Sequence, residues 1–132
     1  MGFETRKLNH EEENYHSLMG PFFGNRQAAN EIGMPIYNDA YKTFYGGFFH
    51  GELVGILSID YTKSIASITD CYIRKSWRGN GFLMRMLEFS LDDSCIYTAN
   101  CNVNSLSSFI KLGFKETSKT KNYTRVIRNA KN

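Results

Sequence analysis

Hydrophobic and polar residues in the first third of the chain follow the pattern of one short strand and two helices. "GFETRKLN" predicts the strand. "HEEENYHSLMGPFF" predicts a helix with Asn9 as its N-cap, acidic residues in its first turn and an end at its Gly-Pro pair. "NRQAANEIGMPIYND" predicts a second, shorter helix that stops at its glycine and proline.

The middle of the chain changes character, because it is rich in aromatic and β-branched residues. Two short polar stretches, "HGE" and "KS", divide this region as tight turns. We therefore expect a three-stranded antiparallel meander. Its predicted strands are "YKTFYGGFFH", "LVGILSIDYT" and "SIASITDCYIRK".

The last part of the chain returns to alternating helices and strands. "WRGNGFLMRML", residues 77–87, predicts a glycine-rich loop that leads into a helix. "CIYTANC" predicts a strand, and "NSLSSFIKL" predicts a helix that Gly113 ends as a left-handed cap. Two further runs predict a closing strand pair, "FKETS" and "NYTRVIRN".

The predicted element order is β-α-α-β-β-β-α-β-α-β-β, without a visible repeat or linker. With 132 residues, 42% of them apolar and 22% charged, the chain has the size and composition of a single domain over residues 1–132. No apolar run reaches the length of a membrane span, and the first residues form no apolar signal region. We expect a cytoplasmic monomer or homodimer without a membrane partner.

Cysteine and histidine positions show no regular spacing. The three cysteines argue against a disulfide framework because their number is odd and no signal region precedes them. Without a Cys-x-x-Cys pair, and with scattered histidines, no metal site is expected. Cys101 is most simply a small buried residue at the end of a strand rather than a nucleophile.

Positive charge is concentrated at the C-terminal end. From Lys111 onward there are seven basic residues and one acidic residue, a charge of +6 within a total of +3. This end is either a solvated strand face or a patch for an anionic partner. Aromatic residues are sparse there, which favours the solvated face and argues against a nucleic-acid partner.

The glycine-rich loop allows two interpretations. It is either a surface turn entering a core helix, or a site where the unpaired N–H groups of a helix start bind a phosphate. Gly79 and Gly81 let an anion approach closely, and Arg78 adds a full positive charge. The Rossmann pattern is absent, because Met84 stands where the third glycine belongs.

Two segments resemble the GNAT (GCN5-related N-acetyltransferase) superfamily. "DCYIRKSWRGNGFLMRML" resembles the motif Arg/Gln-x-x-Gly-x-Gly/Ala, which binds the pyrophosphate of acetyl-CoA, with Arg78, Gly81 and Leu83 on its marked positions. "NVNSLSSFIKLGF" resembles the segment N-x-x-A-x-x-x-Y-x-x-x-G-F of the same superfamily. Because the element order also fits, the resemblance covers nearly the whole chain.

The resemblance implies the α/β (α+β) GNAT fold, a mixed, mostly antiparallel twisted sheet of about six to seven strands flanked by about four helices. It implies acetyl-CoA as cosubstrate and an amine of a small molecule or protein as acceptor, attacking the thioester directly. The implied acetyl-CoA site consists of a strand end, the loop and the second segment. Its residues are Cys71, Tyr72, Ile73, Arg78, Gly79, Asn80, Gly81, Phe82, Leu83, Asn102 and Phe109.

The chain departs from the superfamily pattern at three positions. Leu83 replaces a small residue, and its side chain either crowds the phosphate or points into the core on the apolar helix face of Met86, Leu87 and Leu91. Phe109 replaces the tyrosine that often protonates the leaving thiolate, and a phenylalanine cannot donate a proton. Tyr97 stands where some N-terminal acetyltransferases carry a glutamate base.

Two residues are therefore the catalytic candidates. Tyr97 is placed by the resemblance, and Asp70 is chosen because it lies on the strand that approaches the loop. Asp70 is either a base that acts through water or a structural hydrogen-bond acceptor. Two functions stay open on this basis. The protein is an N-acetyltransferase, or it is a GNAT-fold protein that binds CoA or a protein partner without turnover.

Overall fold

A computed structural model describes residues 2–131, over which the chain forms seven β-strands and four α-helices. The order of these elements is the predicted one. They are β1 (Phe3–Leu8), α1 (Tyr15–Phe23), α2 (Arg26–Ile32), β2 (Lys42–Phe49), β3 (Glu52–Asp60), β4 (Ile65–Ile73), a 3₁₀ turn (Lys75–Trp77), α3 (Phe82–Ser90), β5 (Ile96–Cys101), α4 (Leu106–Lys111), β6 (Lys115–Lys119) and β7 (Thr124–Arg128).

The strands form one sheet in the order β1-β2-β3-β4-β5-β7-β6. All neighbours are antiparallel except β4 and β5, which are parallel. The predicted meander of β2, β3 and β4 is confirmed. Its first turn has positive φ angles at His50 (48°) and Gly51 (84°), as two-residue hairpin turns require.

Two apolar clusters cover the two faces of the sheet. Leu53 and Ile56 of β3 pack with α1 and α2 in one cluster. Val54 and Leu57 pack with α3 and with Phe109 of α4 in the other. Because neighbouring strand residues point to opposite faces, β3 is buried almost throughout and needs helices on both sides.

The first helix differs from its prediction at both ends. The side chain of Asn9 accepts a hydrogen bond from the Glu11 N–H (2.9 Å), so it forms a local turn, and α1 begins only at Tyr15. The helix also continues through Pro21 to its last residue. Phe22 explains this extension, because its side chain is fully buried in the core beyond the proline.

The glycine stops of the other short helices are confirmed. Asn25 caps α2 by accepting from the Ala28 N–H (2.9 Å), and Gly33 ends it with a φ of 100°. Gly113 follows α4 with a φ of 94°. These left-handed conformations suit glycine because it has no Cβ.

The buried face of α3 is rotated from its prediction. Met86 and Leu87 are fully buried as expected, but Phe82 joins them, whereas Leu83 and Leu91 are only partly buried. The ring of Phe82 stacks on an aromatic ring of β1 with centroids 4.1 Å apart. This stacking commits Phe82 to the core and turns Leu83 towards the rim of the helix.

Candidate functional site

Strands β4 and β5 separate halfway along β4. They pair only over Ile65–Ile68 and Ile96–Ala99, whereas β4 continues to Ile73. The end of β4 is therefore hydrogen-bonded to β3 on one side and open on the other. An open strand edge of this kind presents backbone N–H and C=O groups to a ligand.

A β-bulge lies at the point where the two strands separate. Leu57 of β3 pairs with Cys71, but Ile59 pairs with Ile68, so Thr69 and Asp70 together face the single β3 residue between those two pairs. Such an extra residue bends the strand that carries it. The bulge therefore accounts for the departure of β4 from β5.

Asp70 belongs to a buried network that closes this bulge. Its carboxylate accepts hydrogen bonds from the Nζ of Lys42 (2.9 Å) and the hydroxyl of Ser58 (2.7 Å), and its N–H donates to the same hydroxyl (3.2 Å). Asp70 is only 1% exposed. Of the two roles predicted for Asp70, this arrangement supports the structural hydrogen-bond acceptor.

Lys42 remains charged within this network. Burial acts to lower the pKa of Lys42, but the hydrogen bonds and charges of Asp70 and Asp39 outweigh it, so that the pKa is raised. The Nζ of Lys42 lies 3.3 Å from the carboxylate of Asp39. Lys42 and Asp70 therefore form an ion pair within the network, and both charged groups have further polar partners.

The glycine-rich loop ends directly at the start of α3. Gly79 and Gly81 have φ angles of 85° and 74°, and a Cβ on either would meet no atom within 4 Å. The first helical hydrogen bond runs from the Arg85 N–H to the Gly81 C=O (3.2 Å). The N–H groups of residues 82–84 consequently have no acceptor inside the helix.

A cleft of about 480 Å³ joins the open edge of β4, the loop and one side of α4. Nine of the eleven predicted acetyl-CoA residues line it: Cys71, Tyr72, Ile73, Arg78, Gly79, Gly81, Phe82, Leu83 and Asn102. Asn80 does not, and its side chain donates to the Trp77 C=O (3.0 Å). The cleft thus brings a strand edge and a helix N-terminus to one site.

Phe109 lies outside the cleft. Its side chain is 1% exposed and meets Phe114 edge-on, with ring centroids 5.0 Å apart. It lines a separate cavity of about 20 Å³ together with Cys71, Asn102 and Tyr123, three residues near the strand opening. Phe109 is therefore part of the hydrophobic core beside the site, and its ring has no proton to donate.

The charge of Arg78 is already paired. Its two terminal nitrogens donate to the two carboxylate oxygens of Glu31, each over 2.7 Å, and its Nε donates to the Ile73 C=O (2.9 Å). The hydrogen bond from Arg78 lowers the pKa of Glu31, and the same bond raises the pKa of Arg78. Both side chains line the cleft.

The end of α2 is tied to the far side of the opening. The side chain of Asn102 at the end of β5 donates to the Glu31 C=O (3.2 Å). The hydroxyl of Tyr123, just before β7, donates to the Ile32 C=O (3.0 Å). With the Arg78 pair on the other side, α2 bridges both walls of the opening.

Tyr97 occupies a closed environment. Its side chain is fully buried, its hydroxyl lies 3.0 Å from the hydroxyl of Tyr61, and it accepts from the Asp92 N–H (2.9 Å). Burial raises the pKa of Tyr97. The structure does not bring Tyr97 to the cleft, so its position supports a role in packing.

The cysteines are free thiols with different surroundings. Cys101 is buried at the end of β5, as predicted, and burial raises its pKa to about 12. Cys71 lines the cleft, and burial raises the pKa of its thiol as well. Both therefore stay protonated near neutrality, which argues against a nucleophilic role.

Glu31 and the polar residues of α4 are the site residues that the sequence analysis missed. The α4 group lies in the segment that resembles the superfamily, and its polar side was a usable signal. No local pattern marks Glu31, because its partner Arg78 lies 47 positions away. The missed residues that line the cleft are Glu31, Ile32, Trp77, Asn104, Ser105, Ser107, Ser108 and Lys111.

Within residues 2–131, none of the helices could span a membrane. No group of three or more His, Cys, Asp or Glu side chains in the same range is arranged to hold a metal ion.

No protein-family model matches the chain, and no curated protein sequence matches it. Solved structures do match over nearly its full length. A GNAT family acetyltransferase from Elizabethkingia anophelis with acetyl-CoA bound has a TM-score of 0.67 at 8% identity, covering 97% of this chain and 98% of that chain. The chain has the GNAT fold.

Two further structures with this similarity extend the comparison. An acetyltransferase from Thermus thermophilus has a TM-score of 0.69 at 18% identity, with 97% of each chain covered. PaiA N-acetyltransferase from Thermoplasma acidophilum in complex with coenzyme A has a TM-score of 0.60 at 13% identity, covering 98% of this chain and 99% of that one. The seven-stranded mixed sheet and its four helices confirm the predicted GNAT fold.

Proposed function

We propose that the protein is an N-acetyltransferase that moves the acetyl group of acetyl-CoA to a primary amine by direct attack. The observation that carries the proposal is the cleft of about 480 Å³ at the opening between β4 and β5. It combines a strand edge that β5 does not cover with the start of a helix on a GNAT fold. Two of the similar structures contain acetyl-CoA or coenzyme A.

The start of α3 would hold the pyrophosphate. The free N–H groups of residues 82–84 carry partial positive charge, and the glycines before them leave open space for an anion. Arg78 supplies a guanidinium whose fork matches phosphate oxygens. Leu83 lines the cleft beside these backbone groups.

The open edge of β4 would hold the pantetheine arm. The backbone of residues 71–73 has no partner on β5, because that pairing stops at Ile68. Amide groups of the arm can pair with this edge as an additional strand does. A backbone N–H of the same edge can stabilise the oxyanion that forms when the amine attacks the thioester carbonyl.

Proton transfer is the weak part of this site. Phe109 cannot protonate the leaving thiolate, which typically costs a factor of roughly 10² to 10⁴. A thiol with a pKa of roughly 8.5 still leaves tolerably well without help. Asp70 is paired with Lys42, so the chain offers no free carboxylate on β4 as a base.

These features favour a second candidate, a protein that binds CoA or a protein partner without turnover. Arg78 is held by Glu31, and Phe109 and Tyr97 are both buried. The two candidates differ in whether the release of free CoA thiol depends on an added amine.

A titration with acetyl-CoA followed by a thiol-release assay tests both. Calorimetry should show that the protein binds acetyl-CoA at micromolar concentrations. If no binding heat is detected up to high micromolar acetyl-CoA, both the transferase and the CoA-binding candidate are contradicted. Multiple turnovers over a panel of amines and peptides support the transferase. Binding with hydrolysis alone supports the second candidate.

Arg78→Gln should weaken CoA binding by about tenfold or more, because hydrogen bonds to charged groups contribute about 1.5–3 kcal/mol. The matched control is Arg125→Gln on β7, which removes the same charge from an exposed position outside the cleft. Calorimetry with CoA should show no more than about a twofold change for that control. Equal losses in both variants would assign the effect to net charge rather than to the cleft.

A further inference from the structure

The guanidinium of Arg78 is committed to protein partners on three of its donors. An arginine has five N–H donors. Here Nε serves the Ile73 C=O, and one donor from each terminal nitrogen serves Glu31. Both carboxylate oxygens of Glu31 lie 2.7 Å from these nitrogens, which is the bidentate geometry that a phosphate also prefers.

A pyrophosphate at the start of α3 would bring a second anion to the same guanidinium. The two terminal nitrogens of Arg78 form one edge that can hold one bidentate partner, and Glu31 occupies it. Glu31 lines the same cleft and carries a full negative charge that opposes the incoming phosphates. Carboxylate and phosphate therefore compete for one cation.

The main chain of Glu31 is held independently of Arg78. Its C=O accepts from the side chain of Asn102 (3.2 Å), and the next C=O accepts from the hydroxyl of Tyr123 (3.0 Å). The N–H of Gly33 closes the helix end by donating to the Ala29 C=O (2.8 Å). If Arg78 changes partner, the backbone of Glu31 therefore stays at the wall of the cleft.

We propose that the pyrophosphate of acetyl-CoA displaces the carboxylate of Glu31 from Arg78 and releases it into the cleft. This inference rests on the proposed function and adds a change of ion-pair partner to it. Before acetyl-CoA binds, Arg78 is paired with Glu31. Afterwards Arg78 is paired with the pyrophosphate, and Glu31 has lost its bidentate partner.

The direction in which one substitution changes the affinity for CoA tests the competition between Glu31 and the pyrophosphate. Glu31→Gln keeps the side-chain shape but removes the charge that competes for Arg78. Calorimetry with CoA should show about two- to tenfold tighter binding than wild type, the range of a partly exposed charge-assisted pair. If the pair instead holds Arg78 in its binding position, Glu31→Gln binds CoA equally or more weakly, and that result overturns the inference.

The matched control is Glu116→Gln on β6, which removes one negative charge from an exposed position outside the cleft. Its CoA affinity should stay within about twofold of wild type. Equal tightening in both variants would show a general charge effect and would overturn the inference. Glu31→Ala repeats the test without any acceptor for Arg78, and circular dichroism confirms that each variant is folded.

A labelling experiment follows the released carboxylate. Carbodiimide with glycine ethyl ester amidates accessible carboxyl groups, and peptide mass spectrometry locates the product. Labelling of Glu31 should rise when CoA is added, whereas labelling of Glu116 should not change. Constant or reduced labelling of Glu31 in the presence of CoA overturns the release step.

Failure of the inference and failure of the proposed function give different results. If wild type binds no CoA, the proposed function fails and the inference falls with it. If wild type binds CoA but Glu31→Gln does not bind it more tightly, only the inference fails.

Discussion

Two ion pairs flank the end of β4, and they differ in what surrounds them. Lys42 and Asp70 lie 2.9 Å apart with side chains 8% and 2% exposed. Arg78 and Glu31 lie 2.7 Å apart with side chains 31% and 27% exposed. The first pair closes the bulge that opens the sheet, and the second lies in the cleft that this opening creates.

The difference shows how one kind of interaction serves two purposes. If one member of the buried pair is removed, the other charge remains buried without a counter-ion or water, which is costly. The buried pair therefore persists and holds the backbone of the bulge in place. In the cleft pair either partner can be replaced by solvent or by another ion at modest cost. The first pair is therefore structural, and the second is suited to exchange with a ligand.

The largest expected effect comes from breaking the buried pair. Asp70→Asn leaves the charge of Lys42 without its closest partner, so the free energy of unfolding should fall by about 3–5 kcal/mol. Urea denaturation measures it. Asp39→Asn is the matched control, because Asp39 lies 3.3 Å from the same Nζ but its side chain is 34% exposed. A loss of less than about 1 kcal/mol is expected there, and similar losses in both variants would contradict the comparison.

An intermediate effect is expected where the backbone supports the cleft pair. Gly33→Ala places a Cβ against the hydroxyl of Tyr123 at a φ of 100°, so the free energy of unfolding should fall by about 1–3 kcal/mol. Thermal denaturation provides the measurement. Gly24→Ala, at a φ of −109° with no atom within 4 Å of a new Cβ, should be nearly neutral. A neutral Gly33→Ala would show that the end of α2 is not held as described.

The smallest effect is expected from breaking the cleft pair itself. Glu31→Gln should lower the free energy of unfolding by only about 0.2–1 kcal/mol at neutral pH. Because Arg78 lowers the pKa of Glu31, this contribution is complete above the unfolded pKa of about 4.3. The contribution is lost as the pH falls through the lower pKa that Glu31 has in the folded protein.

Denaturation of wild type and Glu31→Gln from pH 7 to pH 3 measures that loss. The gap between the two proteins should close in acid. A gap that is constant or that widens as the pH falls contradicts the assigned pair. Lys42 behaves oppositely, since its raised pKa means that its contribution is present below the unfolded pKa and is lost only as the pH rises through the folded one.

Local patterns predicted most of the fold. Glycine signals placed the ends of α2 and α4, because a glycine there acts through its own backbone conformation. The prediction failed for α1, where the burial of Phe22 carries the helix past Pro21. It also failed for the face of α3, where stacking on a distant ring decides between Phe82 and Leu83.

The candidate site was only partly predictable. The loop glycines and the end of β4 stand together in the sequence, so their contribution to one cleft followed from their order. Which charged groups are paired with one another did not follow from the sequence. Asp70 looked equally like a base or a structural acceptor until its partner from β2 was located.

The sequence by itself determined the order of the elements, the glycine conformations at the start of α3 and the absence of a hydroxyl at position 109. These depend on properties of single residues and their near neighbours. Only the tertiary structure decided that Asp70 is paired with Lys42 and Arg78 with Glu31. Ion pairs between residues far apart in the chain depend on how the elements pack, and burial then decides which pair is permanent and which can exchange.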